Sequence, residues 1–351
     1  MIIQMPSSLD LETALQVCLR LSTLEDDEIT FNFRNTGNVE PFGLLMVSSE
    51  ISRLKKRLPE AKLACSNFDH MHYAGHMGFF KAFGLDHGKH PGEAYGSQNY
   101  VPLTILNSVT LRNEAIKEGV EVGERIEAES KRLASILCNG NEGDLFDTLS
   151  YSIRELMRNV IEHSMAKSFG FCAQYWPTKN RVEVAILDRG IGLRQSLSSN
   201  PHIDTSTDKN AINYALMPAV SGKAFKGSKV KQKGHWANSG FGLYMTSRIC
   251  RNGGNFFITS GDTGLLITDK AEGKQYFENS FAGTAIRMVV KTKELKNLNN
   301  SLEKYRRDGY EIQRQYQEIV NIDPSSASLM LSEDFDVSIW TKLIAKLKLA
   351  K

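Results

Sequence analysis

Residues 155–163 read Glu155-Leu-Met-Arg-Asn159-Val-Ile-Glu-His163, near the end of a segment from about Leu145 to Ser164 whose apolar residues recur at helical spacing. Glu155, Asn159 and His163 fall at i, i+4 and i+8. Each step turns only about 40° round a helix, so the three line one face and can address one ligand together. A carboxylate can orient or deprotonate a water or hydroxyl, an amide oxygen is a hard ligand suited to Mg2+, and an imidazole can contact phosphate. The alternative is a solvated helix face, for which the same spacing is common.

Toward the C-terminus the pattern changes to two strands, Gly170 to Trp176 and Arg181 to Leu187, joined by a turn at Pro177-Thr178-Lys179-Asn180. The second runs into Asp188-Arg-Gly190-Ile-Gly192. A buried Asp can accept the amino proton of adenine, and glycines lack the Cβ atoms that keep backbone from a flat base; a plain Asp-Gly turn is the alternative. About fifty residues later Ser239-Gly240-Phe241-Gly242-Leu243 opens an apolar helix, and backbone amides at such a start can cradle phosphate. Gly283-Thr284 then begins a strand-like run to Val290, where the threonine hydroxyl could support the Asp188 contact.

In this order the four motifs resemble the boxes of the gyrase/heat-shock-chaperone/histidine-kinase/MutL (GHKL) ATPase superfamily, over about 145 of the 351 residues. The resemblance implies a two-layer α/β, Bergerat-type sandwich with a left-handed β-α-β unit and helices on one face of a mixed sheet. It implies Mg2+ held by Asn159 and phosphates, and adenine held by Asp188 with Thr284. His163, Gly190, Gly192 and the run Gly240, Phe241, Gly242, Leu243 belong to the same nucleotide site, and Glu155 is the general base. The stretch Leu193 to Ser239 becomes a lid. Within it Asp208 to Leu216 reads as a short amphipathic helix, and Lys223, Lys226, Lys229, Lys231, Lys233 and His235 form a basic run suited to a triphosphate, with Gly222, Gly227 and Gly234 as hinges. A solvated lysine-rich loop is the alternative. Sparse aromatics beyond Phe225 and Trp236 speak against nucleic acid.

Residues 1–110 alternate short strand and helix patterns, with strands at Glu28 to Phe33 and Lys62 to Ser66 and helices at Gly43 to Leu58 and around Met77 to Gly84. Their order resembles the STAS (anti-sigma-factor antagonist) fold. Where phosphorylatable members carry a serine, this chain has Glu40-Pro-Phe-Gly43, so the domain is expected to recognise a partner rather than receive phosphate. Residues 111–144 read as a helical linker, 145–292 as the ATP-binding domain and 293–351 as a helical extension with a last amphipathic helix near Val337 to Leu349. His72 and His76 have the i, i+4 spacing of a helical metal pair but lack a third ligand type, and read as ordinary histidines.

Composition agrees with a globular chain: 41% hydrophobic and 24% charged residues, with a net charge of +3, too small to imply nucleic acid. Five scattered cysteines without a CxxC pair, and opening residues unlike a secretion signal, fit a cytoplasmic setting. No apolar run approaches the roughly 20 residues that span a bilayer. The expected activity is an ATP-dependent switch or ATPase acting through a protein partner or self-association. The alternatives are a serine or histidine kinase acting on a separate protein and a nucleotide-binding adaptor without turnover.

Overall fold

Asp10 starts the first helix by a reciprocal cap: its carboxylate accepts the Thr13 N–H at 3.1 Å while Thr13 Oγ1 accepts the Asp10 N–H at 3.1 Å. The computed structural model describes residues 1–95, 99–223, 225, 240–270, 273–295, 298–317, 327 and 331. The N-terminal unit comprises β1 (Ile2–Gln4), β2 (Ser8–Leu9), α1 (Leu11–Ser22), β3 (Glu28–Asn32), β4 (Asn38–Val39), α2 (Pro41–Arg57), β5 (Lys62–Ser66), α3 (His72–His76) and α4 (Phe79–Ala82). β1, β3 and β5 form a parallel sheet in that order, and β2 pairs with β4, also parallel. The single helix expected around Met77 to Gly84 is broken at Gly78, whose φ of +87° lies in the left-handed region that glycine enters without steric cost.

The second sheet has five strands in the order β6 (Tyr100–Asn107), β7 (Ser168–Trp176), β8 (Arg181–Asp188), β10 (Lys274–Lys291) and β9 (Asn255–Thr268). Every pairing is antiparallel, not mixed as expected. β8 and β9 both oppose β10, so they run in the same direction, and the chain between them makes the excursion α8 (Gly192–Leu197), α9 (Asp208–Ala215) and α10 (Gly242–Arg251). β6 lies within residues 1–110 yet pairs with β7, and a register shift between Val101 and Thr104 lets Val101 face one core and Leu103 the other.

On one face Phe171, Val184, Ile186, Ile258 and Met288 pack under α7 (Asp144–Asn159) and α10. The segment expected as a linker is part of that core. α5 (Ser108–Glu118) and α6 (Val122–Cys138) are separated by Gly119 at φ +70° and bury Leu111, Ile126, Leu133 and Leu137 with Leu149 and Ile153 of α7. The expected lid is likewise core in its first half, since Ala211, Ile212 and Tyr214 of α9 are fully buried. α11 (Leu298–Gln317) follows the sheet; the expected helix near Val337 to Leu349 lies outside the described residues. No described helix is long and apolar enough to cross a membrane.

The other face of the sheet is covered too. Cys172, Ala185, Leu187, Phe257 and Ala285 share a core with Leu15, Phe31, Phe42, Leu45 and Ile51, so the expected two layers become a stack in which α1 and α2 close the second face. The seam holds a buried ionic cluster. Glu183, wholly inaccessible, lies 2.5 Å from Arg181 and 2.9 Å from Arg287 and accepts the Phe42 N–H at 3.1 Å. Glu40 joins Arg181 at 2.7 Å and Arg287 at 3.3 Å. The Glu40-Pro41-Phe42-Gly43 turn is thus docked on β8, and a Cβ at Gly43 would stand 2.0 Å from the Leu9 carbonyl oxygen. Removing one partner of a buried ionic group strands the others, so Glu183→Ala is expected to lower unfolding stability by about 3 kcal/mol or more in urea titration.

Candidate functional site

α7 ends at Asn159 and the last turn of the expected helix, Val160–Ser164, is a π-helix. Such turns occur mostly as single insertions. Apolar residues on one side of α7 (Leu149, Ile153, Leu156, Met157) hold it to the sheet. Ser164 closes the turn by sending Oγ to the Val160 carbonyl at 2.7 Å, while its own carbonyl accepts the Ile191 N–H at 2.8 Å. That bond joins the helix end to the loop after β8. A Cβ at Gly190 would lie 1.9 Å from the Ser164 carbonyl oxygen, so this glycine is required for the approach of two backbones rather than of a flat ring.

Asp188 is the last residue of β8, 3% exposed, with Thr284 opposite it on β10. Its Oδ1 accepts the Gly190 N–H at 2.8 Å. Burial raises the carboxyl to about 6, opposed by the Gly190 and Thr284 N–H groups and the Arg189 charge. Gly192 has φ +72°, and Ser260 secures its turn, accepting the Leu193 N–H at 3.0 Å and donating to the Gly283 carbonyl at 2.8 Å. Nothing local in the sequence marks Ser260, Ser164, Ser196 or Ser221, which became site residues only through long-range packing.

These elements surround a cavity of about 800 Å³, open space at its mouth included. It is lined by Asn159, His163, Asp188, Gly192, Gly240, Gly242, Leu243 and Thr284, from all four sequence motifs. Leu156, Val160, Ile186, Leu197, Val220 and Ile286 form its apolar wall, and Ser164, Ser196 and Ser221 add hydroxyls. The mixture of apolar wall with few polar groups suits a small organic ligand. Asn159 Nδ2 is buried without a hydrogen-bond partner, leaving the amide's bonding capacity for whatever enters.

His163 is held well below its ordinary range, at about 4, first by burial and then by the nearby Lys223 charge. It is therefore a neutral imidazole at pH 7, not a cation. Lys223 stands exposed at the rim, donating Nζ to the Glu162 carbonyl and its backbone N–H to Ser221 Oγ. Lys226, Lys229, Lys231, Lys233 and His235 lie outside the described residues. The excursion containing them leaves at Ala219 and returns at Gly240, joined by an Ala219 N–H to Gly240 carbonyl bond of 3.0 Å, with φ of +60° and +69° at the two residues.

Glu155 does not line the cavity wall but stands beside it. Its Oε1 takes Arg154 Nη2 at 2.9 Å, and its Oε2 would be 2.6 Å from a Cβ at Gly242, the first residue of α10. The N-cap residue of α10, Phe241, makes no side-chain cap bond, and Gly240, Gly242 and Leu243 at the start of the helix line the cavity end. Phe241 turns the other way. Its ring packs on Tyr244 and on Tyr310 of α11, at centroid distances of 5.9 and 5.0 Å. Gly309, in the middle of α11, allows this: a Cβ there would be 2.5 Å from Phe241 and 3.2 Å from Pro218. The Arg248–Asp308 ion pair at 3.1 Å secures the same contact.

The histidines of the N-terminal unit serve elsewhere. His76 Nε2 meets the Tyr100 hydroxyl at 2.6 Å, His70 Nε2 meets the Thr36 carbonyl at 2.9 Å, and His87 packs edge-on to Phe68 and Phe80. Among the described residues no three His, Cys, Asp or Glu side chains form a metal cluster. No protein-family model matches the chain, and no curated protein is significantly similar to it.

Asp188 and His163 give opposite pH dependences. Asp188, raised above its ordinary value, contributes stability below about pH 4 that is lost as pH rises through about 6. His163, lowered from 6.5, contributes stability above pH 6.5 that is lost as pH falls through about 4. Asp188→Asn is therefore expected to stabilise the ligand-free protein by about 3 kcal/mol at pH 7.5 and by about half of that at pH 5, in chemical denaturation at the two values. In the same assay Gly190→Ala is expected to be strongly destabilising, since the clash is with backbone, whereas Gly242→Ala meets only the movable end of Glu155.

Proposed function

We propose that this chain binds Mg-ATP in the cavity at the ends of α7, β8 and α10, as a GHKL-type switch or ATPase whose closure over nucleotide alters the surface offered to a protein partner. The observation that carries this reading is the convergence of four motifs, far apart in the sequence, on one cavity. The N-terminal unit, read as STAS-like from its parallel sheet and helix order, would then be a recognition unit fixed to the back of the ATP-binding sheet.

In this reading Asp188, backed by Thr284, accepts the adenine amino group, and Leu156, Ile186, Leu197 and Ile286 enclose the base. The N–H groups at the start of α10, beside Gly242 and Leu243, and Lys223 at the rim receive phosphates. His163, neutral, meets phosphate as a hydrogen-bond donor. Asn159 would hold Mg2+ through its amide oxygen, with phosphates and water completing the set, as suits an ion that is seldom fully caged by protein, while its buried, unpartnered Nδ2 would donate to a phosphate oxygen. Mg2+ would neutralise charge on the β- and γ-phosphates during transfer.

Glu155 is the base. Arg154 holds Oε1, which leaves Oε2 turned toward the start of α10 to orient and deprotonate a water. The same oxygen would serve a protein hydroxyl if the acceptor were a partner, so water and protein acceptors differ only in what enters beside it. A non-hydrolysing adaptor is less consistent with a carboxylate oxygen turned toward the start of α10.

Incubation with γ-labelled ATP and Mg2+ tests the assignment. Asp188→Ala is expected to weaken nucleotide binding about 30-fold or more, while Glu155→Ala keeps binding and loses about 100-fold in phosphate release. Label recovered on an added protein would favour the kinase. Wild-type protein that binds no nucleotide would remove the site.

A further inference from the structure

Arg189 is the one cationic residue in the loop Asp188–Gly192, and it does not line the cavity. Its backbone lies between Asp188 and Gly190, while its side chain crosses to the N-terminal unit. Nη2 is 2.7 Å from Glu50 Oε1, off hydrogen-bond geometry and so an ion pair, while Nε and Nη2 donate to Ser49 Oγ at 3.1 and 2.9 Å. Nη1 donates to the Ala282 carbonyl at 3.3 Å, and the guanidinium lies 3.9 Å above the Phe281 ring. All its donor groups are thereby directed by α2 and by the residues just before Gly283-Thr284.

Glu50 has no simple packing reason to be where it is. It is 1% exposed, on a helix whose neighbouring positions Met46, Val47, Ile51 and Leu54 are all core. A carboxylate there is tolerated only when paired. Its two cations are Arg189 and, at 3.2 Å, the more exposed Arg53.

We propose that Arg189, gripped by Glu50 and Ser49 of α2, is a positioning residue for the nucleotide: it fixes the Asp188–Gly190 turn from behind and makes the N-terminal unit part of the nucleotide site. This rests on the assignment of the cavity to ATP. The arrangement acts in two ways. It restrains the backbone on both sides of Asp188, through the turn itself and through Ala282. It also sets a fixed positive charge beside a buried carboxylate that must be ionised to be the stronger acceptor for an amino group. The other groups facing Asp188 are the Gly190 and Thr284 N–H groups and neutral His163 on the π turn, with Lys223 farther out at the rim and Glu50 behind Arg189. Arg189 is the nearest full charge of opposite sign, and its charge lowers the Asp188 carboxyl against burial.

The test is binding of a fluorescent ATP analogue with Mg2+ to the full chain, from about pH 5 to 8.5. Wild type is expected to lose affinity on acidification with a midpoint near 6. Arg189→Gln should move that midpoint up by roughly one unit and cut affinity at pH 6.5 about tenfold. Arg189→Lys should restore the midpoint but not the full affinity, because one ammonium cannot reach Glu50, Ser49 and Ala282 together. Glu50→Gln, which touches no part of the cavity, should weaken binding about threefold. A cooperatively folded Arg189→Gln protein with wild-type affinity and midpoint would overturn the proposal, as would a loss equal at every pH that lysine does not recover. Should Arg189→Gln fail to fold, the Arg189→Lys and Glu50→Gln affinities decide alone, and wild-type values for both overturn it. Wild-type protein without nucleotide binding overturns the ATP assignment itself, and this proposal with it.

Discussion

Because β8 is covered on both sides, every side chain along it must be accommodated by a packed neighbour, and much of the remaining architecture follows from how that is done. Val182, Val184 and Ile186 are met by the helical layer, Ala185 and Leu187 by the N-terminal unit. Glu183 cannot be met by apolar atoms, so two arginines and the start of α2 are gathered round it. At the strand's end the same constraint leaves Asp188 buried, with its carboxylate facing a cavity and its successor, Arg189, facing the other layer. The site is therefore a terminus of the most enclosed strand in the molecule, which gives its polar groups a fixed frame and little water to compete with them.

The motif residues were legible in the sequence because each depends on short-range pattern: i, i+4 spacing for Asn159 and His163, strand-then-turn for Asp188 to Gly192, turn-then-helix for Gly240 to Leu243. What could not be read depends on partners far away in the chain. Gly190 is a glycine because of the Ser164 carbonyl, and Ser164 reaches it only because the final turn of α7 widens to a π turn. β6 resembles its N-terminal neighbours locally, yet joins the second sheet because β7 supplies its pairing edge. Phe241 sits among cradle residues but faces α11, for which Gly309 gave no signal beyond being an ill-suited helix residue. The resemblance made the whole stretch Leu193 to Ser239 a lid, whereas the apolar face of α9 within it is committed to the core.

The electrostatics of the cavity are those of a desolvated place. A carboxylate near 6 and an imidazole near 4 are both penalised for ionising. They bear opposite charge when ionised, and neither is neutralised by the other. At neutral pH it is the Asp188 member of the pair that costs the empty protein stability. This cost is the sort of local loss that folded proteins sustain at ligand sites and offset elsewhere, here by the two-sided burial of the sheet.

Gly309 gives α11 contact with Pro218 and Phe241 at once, that is, with the residues bordering both the departure and the return of the chain between α9 and α10. The helix is wedged against the neck of that excursion on the side away from the cavity. Force applied to α11, by a bound protein or by whatever follows it in the chain, would reach Gly240 through two rings and one proline without passing through the sheet. The C-terminal region thus has a lever on the mouth of the cavity, and the N-terminal unit, through Arg189, has another on its floor.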